Sequence, residues 1–595
     1  MPTRSLNQLI VVQRHLACLC SFLCSLLCGL VFSSNGIASS DKATFLPMVF
    51  NVNGYALLAD LQENTQLLEK IITDIPANGQ THYKGAFSGY PDSAIRVSEI
   101  NGHWRGIVLF ENQLYQINAS YNANAASSSG LLASRPDWPS EETRLCASPT
   151  DHNDSAMHSI DAPSISTSAT MPAVELNVTT AMSNNLVTSV ATLADVCINP
   201  IDGVCLLPEI EFAYDLSYQN LPSAETPLQR AVREINEMEL FFMSGMGFQF
   251  SRLSLTMLDA TQDSLIGSSD DPDTLLNRLR ILRGSNQLGY LQNPRSIFHF
   301  VTGRDFPTVP GPDGGNIIGI AYLNQVCASF GQNTGLTDAG DTSLVSLVMA
   351  HEIGHNMGAG HDTTSGNGCP SNQNVMSPSL GVFAAGFSAF SSCSISEINQ
   401  SVAAALSTSC FDFPVDVGIN ADSNNPLSPN RVDPFDLVYS INADDGYISI
   451  SSVQIDGVIP NNAEGNFINA MVSGGSCSVT SSTYRCTVDD PSASMQLTIT
   501  ASVDENADEF TVQHTVQASG SHITDVRVFN NTITDVLNNF GAASGDPVPE
   551  IGPGDGSSAN SADNSSGGSS GGGGAVSPLS LLLMLVIALI GHRRF

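Results

Sequence analysis

Four residues within one short stretch, His351, Glu352, His355 and His361, have the types and spacing of a metal site with a base built into it. Upstream, Leu344, Val345, Leu347, Val348 and Ile353 recur at helical spacing, and Asp341, Thr342 or Ser343 is available as an N-cap. On such a helix residues four apart share a face, so the imidazoles of His351 and His355 reach a single ion. Gly358 can take a left-handed conformation that ends the helix and turns the chain back, bringing His361 to the same ion as a third ligand. Three neutral nitrogens on a tetrahedral Zn²⁺ leave one position for water, whose pKa such an ion lowers to about 7. Glu352, next to His351, is placed to take that proton and pass it to a leaving amine. A lone His-x-x-x-His is common in structural roles. The full spacing, with an internal Glu, a Gly and a third His, is much harder to reach by chance.

The elements that must hold this stretch read as an α/β layer between about Cys205 and Phe413, where strands alternate with helices. Glu209 to Tyr214 reads as a first strand. A helix then opens at Thr226 as N-cap, with Pro227 at its first position and Gln229 closing a capping box. Leu228, Ala231, Ile235 and Met238 lie on one of its faces. A second strand runs through Leu253, Leu255 and Met257, a second helix places Leu275, Leu276, Leu279 and Leu282 on one side, and Ser296 to Val301 is a further strand.

The histidine stretch resembles that of the metzincin zinc metalloendopeptidases, and Asp362 after the third His points to their adamalysin or reprolysin branch. Asn374-Val375-Met376-Ser377-Pro378 resembles the family's Met-turn, which implies Met376 as an apolar floor under the histidines. Thr302-Gly303-Arg304-Asp305-Phe306 and Gly319-Ile320-Ala321-Tyr322-Leu323 are closely similar to the adamalysin pattern. The resemblance implies a metzincin α/β fold, one catalytic Zn²⁺ and a sheet-edge strand, Gly319, Ile320, Ala321 and Tyr322, lining the cleft. An extended substrate would add to that edge as another strand. Adamalysins often hold a structural Ca²⁺ through an acidic residue of the first strand; Glu211 is the candidate here, although no matching Asn follows Cys410.

Cysteine usage fits an oxidising compartment. Four of the 13 cysteines fall in the N-terminal apolar run, and nine remain, an odd number. The resemblance implies Cys327 paired with Cys410 and Cys369 with Cys393. Cys197 with Cys205 and Cys477 with Cys486 are close in sequence and are expected to form local loops, leaving Cys146 over. Arg144-Leu145-Cys146-Ala147 resembles the basic-x-Cys switch of adamalysin pro-domains, which implies a thiolate that holds the enzyme latent by occupying the fourth zinc position.

The rest of the chain divides by composition. Arg4 and Arg14 before an apolar run from Leu16 to Phe32, then Gly36-Ile37-Ala38, predict a signal peptide over 1–38 and signal peptidase as a partner. Residues 39–118 form a β-rich unit whose His82-Tyr83-Lys84-Gly85, Gly89-Tyr90-Pro91-Asp92-Ser93-Ala94 and Trp104-Arg105-Gly106 resemble an adamalysin pro-domain, followed by a Ser- and Ala-rich cleavable linker over 119–204. The protease occupies 205–414. No dense Cys pattern of disintegrin type follows; instead period-two alternation over 430–545 predicts an all-β sandwich, whose Asn530-Asn531-Thr532 end resembles bacterial immunoglobulin-like surface modules. A Gly- and Ser-rich linker fills 546–574. The apolar run ending in Arg593 and Arg594, within 575–595, resembles the Gly-Gly sorting tails of Gram-negative bacteria, implying transient anchoring in the inner membrane and removal by a rhomboid-type protease. A net charge of -35 argues against nucleic acid as a partner. The reading is a bacterial endopeptidase, secreted or held at the cell surface, made as a latent pro-form and acting on extracellular proteins. Its rival is a surface adhesin whose sandwich binds and whose protease domain is secondary or silent; intact His351, Glu352, His355 and His361 favour the enzyme.

Overall fold

Alternating apolar and polar residues between Leu46 and Ser134 close into a barrel of seven strands. They are β1 (Leu46–Val52), β2 (Tyr55–Glu63), β3 (Gln80–Phe87), β4 (Tyr90–Ile100), β5 (His103–Phe110), β6 (Gln113–Ser120) and β7 (Leu131–Ser134), with β7 closing in parallel on β1. The tight hairpins carry positive φ at both turn residues, Asn53-Gly54, Asn101-Gly102 and Glu111-Asn112, as two-residue hairpin turns require. Phe50, Val97, Trp104, Val108 and Tyr115 fill the barrel. The computed structural model describes residues 45–64, 79–120, 131–136 and, with short gaps, 192–541. The expected signal peptide, Cys146 and the tail over 546–595 lie outside these residues. Among the described residues, no helix is long and apolar enough to cross a membrane.

The α/β unit begins with the short helix α1 (Leu193–Val196) and is built on one twisted sheet. Its strands β8 (Leu207–Tyr214), β9 (Ser251–Met257), β10 (Ile297–Thr302) and β12 (Thr334–Asp338) run parallel in the order β9-β8-β10-β12. Antiparallel β11 (Gly319–Ala321) lies outside β12 as the edge. After α2 (Leu216–Gln219) comes α3 (Pro227–Met246), which starts as expected: Thr226 Oγ1 accepts from Gln229 N–H at 3.2 Å and the Gln229 side chain accepts from Thr226 N–H at 3.0 Å. It stops at Gly247 with φ 67°. Helices α4 (Ala260–Ile266) and α5 (Pro272–Gly284) follow, and α5 sends Leu275, Leu276 and Leu279 into a core with Phe298, Ile320 and Leu336. Helix α6 (Val345–Asn356) carries the His stretch, and α7 (Ser392–Ala405) closes the unit.

The boundary expected at 414 falls inside one continuous strand, β13 (Phe411–Ala421). Its first residues pair with β8 of the α/β unit, Phe411 with Pro208, and its last six with β14 (Phe435–Asp444). With β14, β19 (Ser494–Val503) and edge strand β16 (Gly465–Val472) it forms one layer, to which β21 (Ile523–Asp525) adds on β13. The second layer has the order β17-β18-β15-β20-β22, from β15 (Ser452–Val458), β17 (Ser476–Val479), β18 (Thr483–Asp489), β20 (Phe510–Ser519) and β22 (Thr532–Leu537). Val417, Leu437, Tyr439 and Leu497 from one layer meet Val453, Ile455, Cys486 and Val512 from the other in a single core. No linker separates this unit from the α/β unit. Arg527 ties the two further, donating to Asp416 at 2.8 Å and to Asp202 at 2.6 Å.

Candidate metal centre

Helix α6 is apolar and fully buried, which fixes where its polar residues face. Its start differs from expectation. The N-cap is Leu344, which makes no side-chain capping bond, and the start is set instead by burial of Leu344 and Val345 in the core. Asp341, Thr342 and Ser343 lie outside the described residues. At the other end Gly358 has φ 110°, and a Cβ there would come 2.0 Å from Ser401 Oγ, so only glycine makes this turn.

That turn brings His361 back onto the helix. Its Nε2 lies 3.2 Å from Nε2 of His351 and 3.2 Å from Nε2 of His355. Each Nδ1 of the helical pair faces a carbonyl, His351 that of Val375 at 2.6 Å and His355 that of Ala359 at 2.7 Å. A carbonyl only accepts, so both Nδ1 atoms carry the proton and both Nε2 lone pairs point to the common centre. Burial, together with the neighbouring imidazoles, pushes His351 well below its ordinary pKa and His355 down to about 3; burial takes His361 down to about 4. Three neutral, convergent imidazoles with ligand atoms within 4.8 Å of one another are the donor set of a zinc ion.

Glu352 is fully buried beside this set, and its carboxylate rests on Gly319 of β11. Met376 is also fully buried, beneath the helix: a Cβ on Gly354 would come 2.6 Å from its Sδ and 3.1 Å from Phe390. Strand β11 pairs with β12 on one side only among the described strands. The residue that follows it and the start of β12 are held to α6 by Asn356, whose Nδ2 donates to Tyr322 O at 2.8 Å and Thr334 O at 3.1 Å.

Residues without an expected role complete the centre. Asp362, fully buried, accepts from Ser391 Oγ at 2.6 Å, Ser394 Oγ at 3.1 Å and Asn374 Nδ2 at 3.1 Å, and its own N–H donates to Met376 O at 3.0 Å. One carboxylate thus joins the His361 turn, the Met376 turn and the start of α7. The Ser391-x-x-Ser394 pair, read from sequence alone, would signal only a helix cap, which Ser391 also is.

The cysteines divide. Cys327–Cys410, Cys369–Cys393 and Cys477–Cys486 are disulfides. The expected Cys197–Cys205 bridge is absent: both are free thiols. The Cys197 thiol is pushed up by a hydrogen bond with Cys205 and by burial. Glu211, the candidate for Ca²⁺, already spends both carboxylate oxygens on protein donors: Ser254 Oγ, Ser296 Oγ and the N–H groups of Gln292 and Asn293, all at 2.8 Å.

Residues 209–391 match the family model for Metallo-peptidase family M12, Reprolysin_5. That segment is similar to reprolysin-type metallopeptidase domains. Over 131 residues the chain is 33% identical to the zinc metalloproteinase-disintegrin-like BmMP of Bungarus multicinctus, covering 19% of this chain and 20% of that protein. Over 220 residues it is 26% identical to the zinc metalloproteinase recombinant fibrinogenase II of Deinagkistrodon acutus, covering 36% of this chain and 80% of that one. The chain therefore spans about a fifth of the first relative's length. Among solved structures, 21% of the chain overlays 98% of a cohesin module from Clostridium perfringens ATCC13124 family 33 glycoside hydrolase, at 9% identity and a TM-score of 0.17, too low to carry an argument.

Proposed function

We propose that the domain is a zinc-dependent endopeptidase that cuts extended polypeptides outside the cell, with Glu352 as general base. The observation that carries this reading is the convergence of three buried, neutral imidazoles next to a buried carboxylate and an open sheet edge. His351, His355 and His361 would hold a zinc ion, which would supply Lewis acidity toward water and the scissile carbonyl. The carboxylate of Glu352 takes the proton of the attacking water and hands it to the departing amine. Gly319 confines that carboxylate from one side. The free edge of β11 holds the substrate backbone as an added strand.

We further read the chain as an exported, latent pro-form. Residues 1–38 serve as the signal peptide, 575–595 as a sorting tail removed in the membrane, and the two-layer unit after Phe413 as an immunoglobulin-like accessory module. Cys146 would supply latency by offering its thiolate to the metal that His351, His355 and His361 would hold. Cys146→Ser in the uncut chain tests that element by itself, because the variant should hydrolyse peptide where the uncut parent does not.

The main reading is tested on chain cut between residues 136 and 192, given an unfolded protein with and without a chelator. Hydrolysis that stops with the chelator and returns with added Zn²⁺ is expected. Hydrolysis indifferent to the chelator would contradict it.

A further inference from the structure

Helix α3 is buried almost all round, although its sequence has one apolar face only. Ala231, Ile235, Met238 and Phe242 pack into the protease core. The remaining surface carries Arg233, Asn236, Glu237 and Glu239, a composition that ordinarily meets water. Here the barrel covers it. Arg96 of β4 lies 3.7 Å from Glu239, with side chains 7% and 3% exposed. Arg105 of β5 lies 3.5 Å from Glu225, which Arg233 also holds at 3.0 Å. Asn64 donates to Asn236 at 2.9 Å, and Asn236 donates to Val97 O at 3.5 Å.

The apolar part of the contact is written into β5. A strand with one wet face alternates, yet Ile107-Val108-Leu109-Phe110 is apolar throughout. Val108 and Phe110 fill the barrel, whereas Ile107 and Leu109, with Leu114 of β6, belong to the core of the protease. At the hairpin tip Asn112 O accepts from Phe387 N–H at 2.5 Å, and the Phe387 ring meets Phe241 of α3 edge-on at 6.0 Å. The polar contacts fall on α3, on Glu225 just before it and on Phe387, and none is with His351, Glu352, His355 or His361.

We propose that the barrel is a resident subunit of the mature enzyme. When the chain is cut between residues 136 and 192, the Cys146 segment is freed and the barrel stays on α3 as a non-covalent partner. The apolar patch of Ile107, Leu109 and Leu114, continuous with the protease core, supplies the affinity, as in interfaces of obligate partners. The Arg96–Glu239 and Arg105–Glu225 pairs set orientation, since both members of each would be rehydrated on separation. The inference rests on the reading of the chain as a pro-form that is cut between residues 136 and 192, and not on the hydrolytic step.

The test uses the full chain with a site-specific protease sequence inserted within residues 137–191, cut and then analysed by size-exclusion chromatography and native mass spectrometry at micromolar protein. One species holding both fragments at equal stoichiometry, in low and in high salt, is expected. Separate elution of the barrel fragment would overturn the proposal. A second variant, Ile107→Asp with Leu109→Asp, alters only the outer face of β5. Its cut barrel should come off; retention as complete as in the parent would show that this patch is not the bond, which also overturns the proposal. Because neither readout is enzymatic, failure here is distinct from failure of the hydrolytic reading.

Discussion

Gly319 lies directly against the side chain of Glu352: a Cβ at position 319 would fall 2.4 Å from Oε1, 2.8 Å from Cδ and 2.9 Å from Cγ. Three atoms of one side chain stand inside contact distance, so moving the carboxylate tip alone does not relieve an added methyl. Gly319→Ala is therefore expected to displace Glu352 while leaving the histidines in place. A misplacement of about 1 Å can cost about 10²-fold in rate. Steady-state kinetics with zinc content measured on the same sample checks it, and parental turnover with zinc bound would show that Glu352 is not confined by this wall.

Asp362 couples the third ligand to the floor of the site through three side-chain donors and the Met376 carbonyl. Asp362→Ala removes the acceptor shared by Ser391, Ser394 and Asn374 and loosens the turn that delivers His361. Outer partners of metal ligands are typically worth about 10- to 100-fold in affinity. Competition with a zinc-binding dye should show a weakening of that order. Unchanged zinc affinity in a folded Asp362→Ala protein would remove Asp362 from the centre.

Glu234 of α3 is buried, and burial pushes it up to about 7 although Arg233 and the Tyr218 hydroxyl, which donates to it at 2.9 Å, both favour its charged form. The unfolded chain releases this proton near the ordinary carboxyl value, so between about 4.5 and 7 the folded state binds the extra proton and stability falls as pH rises. The penalty is complete above about 7 and is on the order of 3 kcal/mol. Glu234→Gln should melt with the parent at pH 4 and above it at pH 8. A gap that does not widen with pH would refute the assignment.

The zinc stretch was legible because its chemistry is local. Spacing along α6 and one glycine turn fix where His351, Glu352, His355 and His361 point, and the apolar residues around them can only be core. The capping box of α3 was legible for the same reason. What covers α3 was not, since Arg233, Glu237 and Glu239 read as a solvated face until the barrel is seated on them. The shared strand was hidden by Pro414, which argues against a strand interior. Phe413 N–H donates to His522 O, so the nitrogen of Pro414 faces the other side, where β13 passes from β8 to β14 and the ladder needs no donor. The Asp362 network was missed because Asn374, Ser391 and Ser394 become partners only through the tertiary fold.

The central claim, hydrolysis at three imidazoles with Glu352 as the base, is met most directly by measuring zinc content and peptide hydrolysis together in cut parent and cut Glu352→Gln. The amide fits the same space but cannot accept the proton. Both proteins are expected to hold one zinc, with the variant slower by about 10²- to 10⁴-fold. Near-parental turnover by zinc-loaded Glu352→Gln, or a parent that hydrolyses peptide with no zinc bound, would contradict the account.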